Sequence, residues 1–129
     1  MGKKYAVLIV DDDKFLLDMY RKKFESEDVI VDVAVGSEEA LSKLRDGDKP
    51  DILILDIIMP GMDGLELLGV IREEKLVPDA IVIMLTNESD QDKIEEAKLL
   101  GIKGYIVKAM SIPTEVVEKV WEIVELNTK

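Results

Sequence analysis

This chain predicts an open α/β fold: a parallel sheet covered by helices on both faces. Three observations carry the prediction. Short, continuously apolar runs alternate with stretches of helical periodicity along the whole length, five times over. The runs are rich in β-branched residues and unbroken by polar positions, as strands buried on both sides require. No repeat, low-complexity tract or linker interrupts the series.

The elements follow in order. Tyr5–Val10 reads as a first buried strand, after which Phe15, Leu16, Met19, Tyr20 and Phe24 recur at helical spacing. Val29–Val35 is the second strand, with Ile30, Val31, Val33 and Val35 supplying its β-branched character. Ser37 is expected to cap a short helix striped by Ala40, Leu41 and Leu44 and ending near Gly47. Asp51–Asp56 forms the third strand, and Leu65, Leu68 and Ile71 mark a helix after the Pro60-Gly61 loop. Ala80–Leu85 is the fourth strand, followed by a helix with Ile94, Ala97 and Leu100. Gly104–Val107 is the fifth strand. Val116, Val117, Val120, Trp121 and Val124 belong to a closing helix, where Trp121 is expected to pack rather than to bind. The acidic pairs Glu38-Glu39, Glu73-Glu74 and Glu95-Glu96 read as solvated helix faces.

Composition narrows the function classes. At 129 residues the chain is expected to form one domain, residues 1–129, with a sizeable core. A net charge of −11 argues against a direct grip on nucleic acid or an anionic membrane, both of which want a basic face. Without cysteine there is no disulfide framework or thiolate metal site. Met1-Gly2-Lys3-Lys4 runs straight into a strand with no signal peptide or bilayer-spanning stretch, and Ala6 stands where N-myristoylation wants Ser or Thr. A soluble, cytoplasmic domain is the expectation.

An open parallel sheet places its site outside the carboxyl ends of the strands. Those ends carry Asp11 and Asp12, Gly36, Asp56, Thr86 and Lys108. Each has a plain structural reading. Asp12 or Asp13 suits the N-cap of the first helix; Thr86, Ser89 or Asp90 suits that of the fourth; most lysines are simply solvated. What those readings leave unexplained is the convergence of three acids, a hydroxyl and an amine on one edge. Clustered carboxylates cannot all stay ionised cheaply, so the pocket calls for a divalent cation. Mg²⁺ fits, because it takes a few oxygens and keeps several waters.

Val10-Asp11-Asp12, the segment Leu55-Asp56-Ile57-Ile58-Met59-Pro60-Gly61-Met62-Asp63-Gly64, Leu85-Thr86 and Gly104-Tyr105-Ile106-Val107-Lys108 together resemble the receiver domain of two-component response regulators. The resemblance covers essentially the whole chain, and the spacings match. It implies a flavodoxin-like, doubly wound sheet of five strands in the order 2-1-3-4-5, three layers deep. Asp56 would accept a phosphoryl group from a histidine kinase or phosphotransfer protein. Asp11 and Asp12, with Asp56 and the backbone carbonyl of Ile58, would hold Mg²⁺. Thr86 and Lys108 would contact the phosphoryl oxygens, and Tyr105 would switch rotamer as Thr86 moves inward. The implied partner is a downstream protein or a fused output domain, with a homodimer through the fourth helix, fifth strand and fifth helix as a further possibility. On this reading the chain is no enzyme beyond its own phosphotransfer and autodephosphorylation. It is either a stand-alone receiver or part of a longer protein.

Several positions depart from the family pattern. Ala109 follows Lys108 where proline is usual, so a trans Lys108–Ala109 peptide is expected, a non-proline cis bond costing about 3 kcal/mol. Pro113 is expected to start the last helix instead. Asn87 stands beside Thr86 where a smaller residue is commoner and is expected to narrow the way to Asp56. Ile58 and Glu88 lie where the family tunes phosphate lifetime.

Two other readings remain open at this level. Asp11 and Asp13 form the Asp-x-Asp pattern of haloacid-dehalogenase-like phosphatases, with Asp11 as nucleophile and Asp13 as general acid. Phe15, however, stands where such enzymes want Thr or Val, and no later acidic pair is evident. The third reading is a pseudo-receiver, an interaction module that never carries phosphate.

Overall fold

The computed structural model describes residues 5–25, 28–87, 91–108 and 112–128. Five strands and five helices alternate among them: β1 (Tyr5–Asp11), α1 (Lys14–Phe24), β2 (Val29–Val35), α2 (Ser37–Arg45), β3 (Ile52–Leu55), α3 (Gly64–Glu73), β4 (Ile81–Thr86), α4 (Gln91–Leu99), β5 (Gly104–Val107) and α5 (Pro113–Thr128). All strand pairs are parallel, in the order β2-β1-β3-β4-β5. Pro113 does open the last helix. The Lys108–Ala109 peptide, Glu88, Ser89 and Asp90 lie outside the described residues.

Strand side chains alternate between two cores. Leu8, Val10, Leu53, Leu55, Val82 and Met84 pack beneath α2, α3 and Ala97 of α4. Val7, Ile9, Ile52, Ile54, Ile83, Leu85 and Ile106 face α1 and α5 on the other side. Trp121 packs as expected: its ring lies 5.4 Å from that of Tyr5 and 6.3 Å from that of Phe24, joining α5 to β1 and α1.

Two local expectations need correction. The buried face of α1 is Leu17, Tyr20 and Phe24, whereas Phe15 is 89% exposed and Met19 37%. The run Phe15-Leu16-Leu17 offers two apolar stripes, and the N-cap decides between them: the Asp13 carboxylate accepts the N–H groups of Phe15 and Leu16, which sets the helix phase. Ser37 is not the N-cap of α2. Gly36 holds that position at φ +86°, and Ser37, one residue inside, donates its hydroxyl to the Met62 carbonyl at 2.7 Å. Nor are all the paired glutamates merely solvated. Glu39 accepts the Val35 N–H at the sheet edge, and Glu74 takes a two-pronged contact from Arg45.

Candidate functional site

The register of the sheet builds the site. Val10 pairs with Leu55, so Asp11 and Asp56 emerge side by side; the Asp56 N–H still bonds the Val10 carbonyl at 3.0 Å. Thr86 ends β4 opposite Val107, and Lys108 follows one residue later. The chain leaves Asp56 through a tight return in which the Gly64 N–H donates to the Ile57 carbonyl at 2.7 Å. Asp63 then caps α3 in a reciprocal box with Glu66.

The Lys108 ammonium lies 2.5 Å from Asp11 Oδ2 and 3.2 Å from Asp56 Oδ2. All three side chains are more than nine-tenths buried. Thr86 is fully buried and hydrogen-bonded to the Asp56 carboxylate. Asp11 Oδ1 accepts the Asp13 N–H at 3.0 Å, and Asp56 Oδ1 the Ile58 N–H at 3.4 Å. Burial pushes the Asp56 carboxyl above the ordinary aspartate range, against the opposing charge of Lys108, and Asp11 adds to the rise. For Lys108, burial alone would lower the pKa, but the bond to Asp11 and the charges of Asp56 and Asp11 outweigh it and the net shift is upward.

A cleft of about 440 Å³ opens above these groups, lined by Asp11, Asp12, Asp13, Leu16, Asp56, Ile58, Asn87 and Lys108. Most of the residues expected at a site therefore do converge. Asp11, Asp12, Asp56, Ile58 and Lys108 share the cleft, and Thr86 reaches Asp56 from below. Tyr105 does not join them. It is 40% exposed and borders a separate surface hollow with Lys98, Ile102, Lys103 and Ile123. Asn87 borders the cleft but is exposed. Asp13 is occupied as a helix cap. Two contributors were not anticipated. Leu16 walls the cleft, and Gly64 lies so close behind the Asp56 backbone that a Cβ there would fall 2.0 Å from its carbonyl oxygen.

The donor set suits a small hard cation. One carboxylate oxygen from each of Asp11, Asp12 and Asp56 lies within 4.8 Å of the others, and oxygen-only ligands are what Mg²⁺ prefers. Asp12 is exposed while the other two are buried, which leaves the site open to water on one side. No helix among the described residues is long and apolar enough to cross a membrane.

Comparison with known proteins agrees with this geometry. The family model of the response regulator receiver domain matches residues 7–120. The transcriptional regulatory protein ResD of Bacillus subtilis is 36% identical over 114 residues, an alignment spanning 88% of this chain but 45% of ResD. The chemotaxis protein CheY of Halobacterium salinarum is 35% identical over 108 residues, 84% of this chain and 88% of CheY. Among solved structures, the response regulator TrrA of Thermotoga maritima, in complex with Mg²⁺ and BeF, superposes with a TM-score of 0.75 at 34% identity, covering 92% of this chain and 98% of that one. The order 2-1-3-4-5, the acid-lined edge and these matches lead to one conclusion: the chain belongs to the response regulator receiver domain family of two-component signalling.

Proposed function

We propose that this domain accepts a phosphoryl group on Asp56 from a phosphohistidine of a kinase or phosphotransfer protein. The observation that carries the reading is the buried pairing of Lys108 with both Asp11 and Asp56 at the floor of an open acidic cleft. In the step itself an Asp56 carboxylate oxygen attacks phosphorus, the P–O bond forms as the P–N bond to imidazole breaks, and the histidine leaves with the bonding pair. Mg²⁺, held by Asp11, Asp12, Asp56 and the Ile58 carbonyl, would neutralise the clustered carboxylates and the charge on the transferring group. TrrA, with Mg²⁺ and BeF bound, supports that assignment by analogy.

The chain's own residues do the rest. Lys108 supplies a fixed positive charge to the phosphoryl oxygens. Thr86 exchanges its bond to the Asp56 carboxylate for one to a phosphoryl oxygen and is drawn toward it. Tyr105, half-exposed on β5 with a hollow beside it, has room to turn as Thr86 withdraws, remodelling the α4–β5–α5 face for a partner, for a fused output domain or for a second copy.

Incubation with acetyl phosphate and Mg²⁺, read by intact mass, tests the assignment. A phosphate adduct that Asp56→Asn abolishes is the expected result. An adduct that survives Asp56→Asn and disappears in Asp11→Asn would favour the phosphatase-like reading, although the Asp13 carboxylate needed there as a general acid is committed to the α1 cap. No adduct at all would leave an interaction module.

A further inference from the structure

Ser37 carries a buried hydroxyl that the chemistry above leaves unused. It stands one residue inside α2 and is 6% exposed. Alanine would suit a helical position better than serine does. The hydroxyl answers to another element instead: it donates to the Met62 carbonyl at 2.7 Å, 25 positions further along the chain.

The turn before α2 is thereby tied to both acid-bearing segments of the edge. The Gly36 N–H donates to the Asp11 carbonyl at 3.0 Å, just past the end of the β1–β2 pairing. Ser37, the next residue, holds Met62. Gly36 and Ser37 thus form a two-residue clasp between the backbone of Asp11 and the loop that follows Asp56. The sheet itself fixes Asp56, whose N–H bonds the Val10 carbonyl at 3.0 Å. Ile58 lies beyond the last strand pair, half-exposed at the rim of the cleft. Its place depends on how the loop is held. The Gly64 N–H closes the base on the Ile57 carbonyl, the Asp63–Glu66 box fixes the far end, and Ser37 holds the side.

We propose that Ser37 is a positioning residue for the cation site: by holding the Met62 carbonyl at a fixed place relative to Asp11, it keeps the Ile58 carbonyl where Mg²⁺ can use it. This rests on the reading of Asp11, Asp12, Asp56 and the Ile58 carbonyl as the metal's ligands. Of those four, Ile58 lies furthest along the chain from a strand end, so it gains most from a lateral hold. Mg²⁺ demands near-ideal octahedral geometry at short distance, and a ligand that drifts weakens it sharply. Groups that orient a metal ligand without touching the metal therefore act on affinity.

Ser37→Ala tests this beside Gly47→Ala. Gly47, at φ +108°, does not line the cleft, and a side chain forced into that conformation should also lower stability. Each variant is compared with wild type for thermal midpoint, for Mg²⁺ affinity by titration calorimetry, and for the movement of the Ile58 carbonyl carbon signal in NMR on saturation with Mg²⁺. Both variants should melt below wild type. Only Ser37→Ala should bind Mg²⁺ more weakly, by roughly tenfold, the lower end of what loss of a ligand-orienting partner does. Its Ile58 carbonyl signal should also move less at saturation. Wild-type affinity in Ser37→Ala would overturn the proposal, as would an equal loss of affinity in Gly47→Ala; either would leave Ser37 a role in stability alone. Wild type that binds Mg²⁺ with no movement of the Ile58 carbonyl signal would overturn it too, since that carbonyl would then be no ligand. If wild type bound no Mg²⁺ at all, the metal-site reading itself would fall and this proposal with it.

Discussion

Lys108 and Asp11, 97 positions apart in sequence, meet at 2.5 Å at the floor of the cleft, closer than Lys108 comes to Asp56. The amine thus sits on an oxygen that a bound cation would need.

Lys108 and Mg²⁺ should therefore compete. Lys108→Met removes the only positive charge that the described residues place on these carboxylates and leaves two buried acids facing each other. Breaking a buried pair from one side typically costs about 3 kcal/mol, so the metal-free variant should unfold at markedly lower urea. Its Mg²⁺ affinity, measured by titration calorimetry, should rise severalfold, and saturating Mg²⁺ should recover most of the lost stability. An unchanged or weaker affinity would mean that the amine does not obstruct the metal.

The raised carboxyl of Asp56 has a definite sign. A folded-state pKa above the unfolded value favours the protonated folded form, so this group's contribution is fully present below the ordinary aspartate value of 3.8. It is lost as pH rises through the raised folded value. Above that window the ionised carboxylate, buried and facing Asp11, costs stability. Asp56→Asn should match wild type in stability at low pH and exceed it increasingly toward neutrality, without metal. Denaturation curves between pH 3 and pH 8 check this; a gap that is constant with pH would rule it out. Mg²⁺ should narrow the gap at neutral pH.

Much of this arrangement was legible in the residues themselves. The apolar runs gave the strands to within a residue or so at each end, and Asp11, Asp12, Asp56 and Lys108 at or just beyond their carboxyl ends turned out to share one cleft, with Thr86 buried against Asp56, because parallel strands must deliver their ends to one edge. The phase of α1 was not legible, because Phe15, Leu16 and Leu17 offer apolar residues on either side and only the Asp13 cap selects one. Ser37 resembled a cap in type, but the backbone needed φ +86° there, which Gly36 supplies more easily. Nor could spacing foretell that Lys108 would reach Asp11 more closely than Asp56. That depends on sheet twist and on which carboxylate oxygens backbone N–H groups already occupy.

Gly64 owes its identity to Asp56. A Cβ at this position would lie 2.0 Å from the Asp56 carbonyl oxygen and 2.8 Å from Ile57 Cα, both backbone atoms with little freedom to retreat. Gly64→Ala should cost about 2 kcal/mol through forced backbone displacement. Because that displacement falls on the residue proposed to carry the nucleophile, phosphate uptake should drop further than the stability loss explains. Gly69→Ala provides the control, since nothing lies within 4 Å of a Cβ there. If the two alanine variants behaved alike, the close approach at Asp56 would have no consequence.

Lys75 occupies a position that favours glycine. Three helices end in the same way: the residue after the cap turns left-handed, its N–H bonding back three residues and the next N–H five. In α2 that residue is Gly47, whose N–H reaches the Leu44 carbonyl at 3.2 Å while that of Asp48 reaches Lys43 at 3.1 Å. In α4 it is Gly101, at φ +86°. In α3 it is Lys75, at φ +56°, with its N–H on the Arg72 carbonyl at 3.1 Å and the Leu76 N–H on Ile71 at 2.9 Å. A side chain in that conformation crowds its own backbone, at a cost of about 1 kcal/mol, and among the described residues the exposed Lys75 side chain makes no hydrogen bond or ion pair that would compensate. Lys75→Gly gives up some unfolded-state restriction, so the net gain should be about 0.5 kcal/mol, whereas Gly47→Ala should lose about 1 kcal/mol. Neither site is near the cleft, so both variants should take phosphate at the wild-type rate. A Lys75→Gly protein less stable than wild type would mean that the lysine's restriction of the unfolded chain outweighs its strain in the fold.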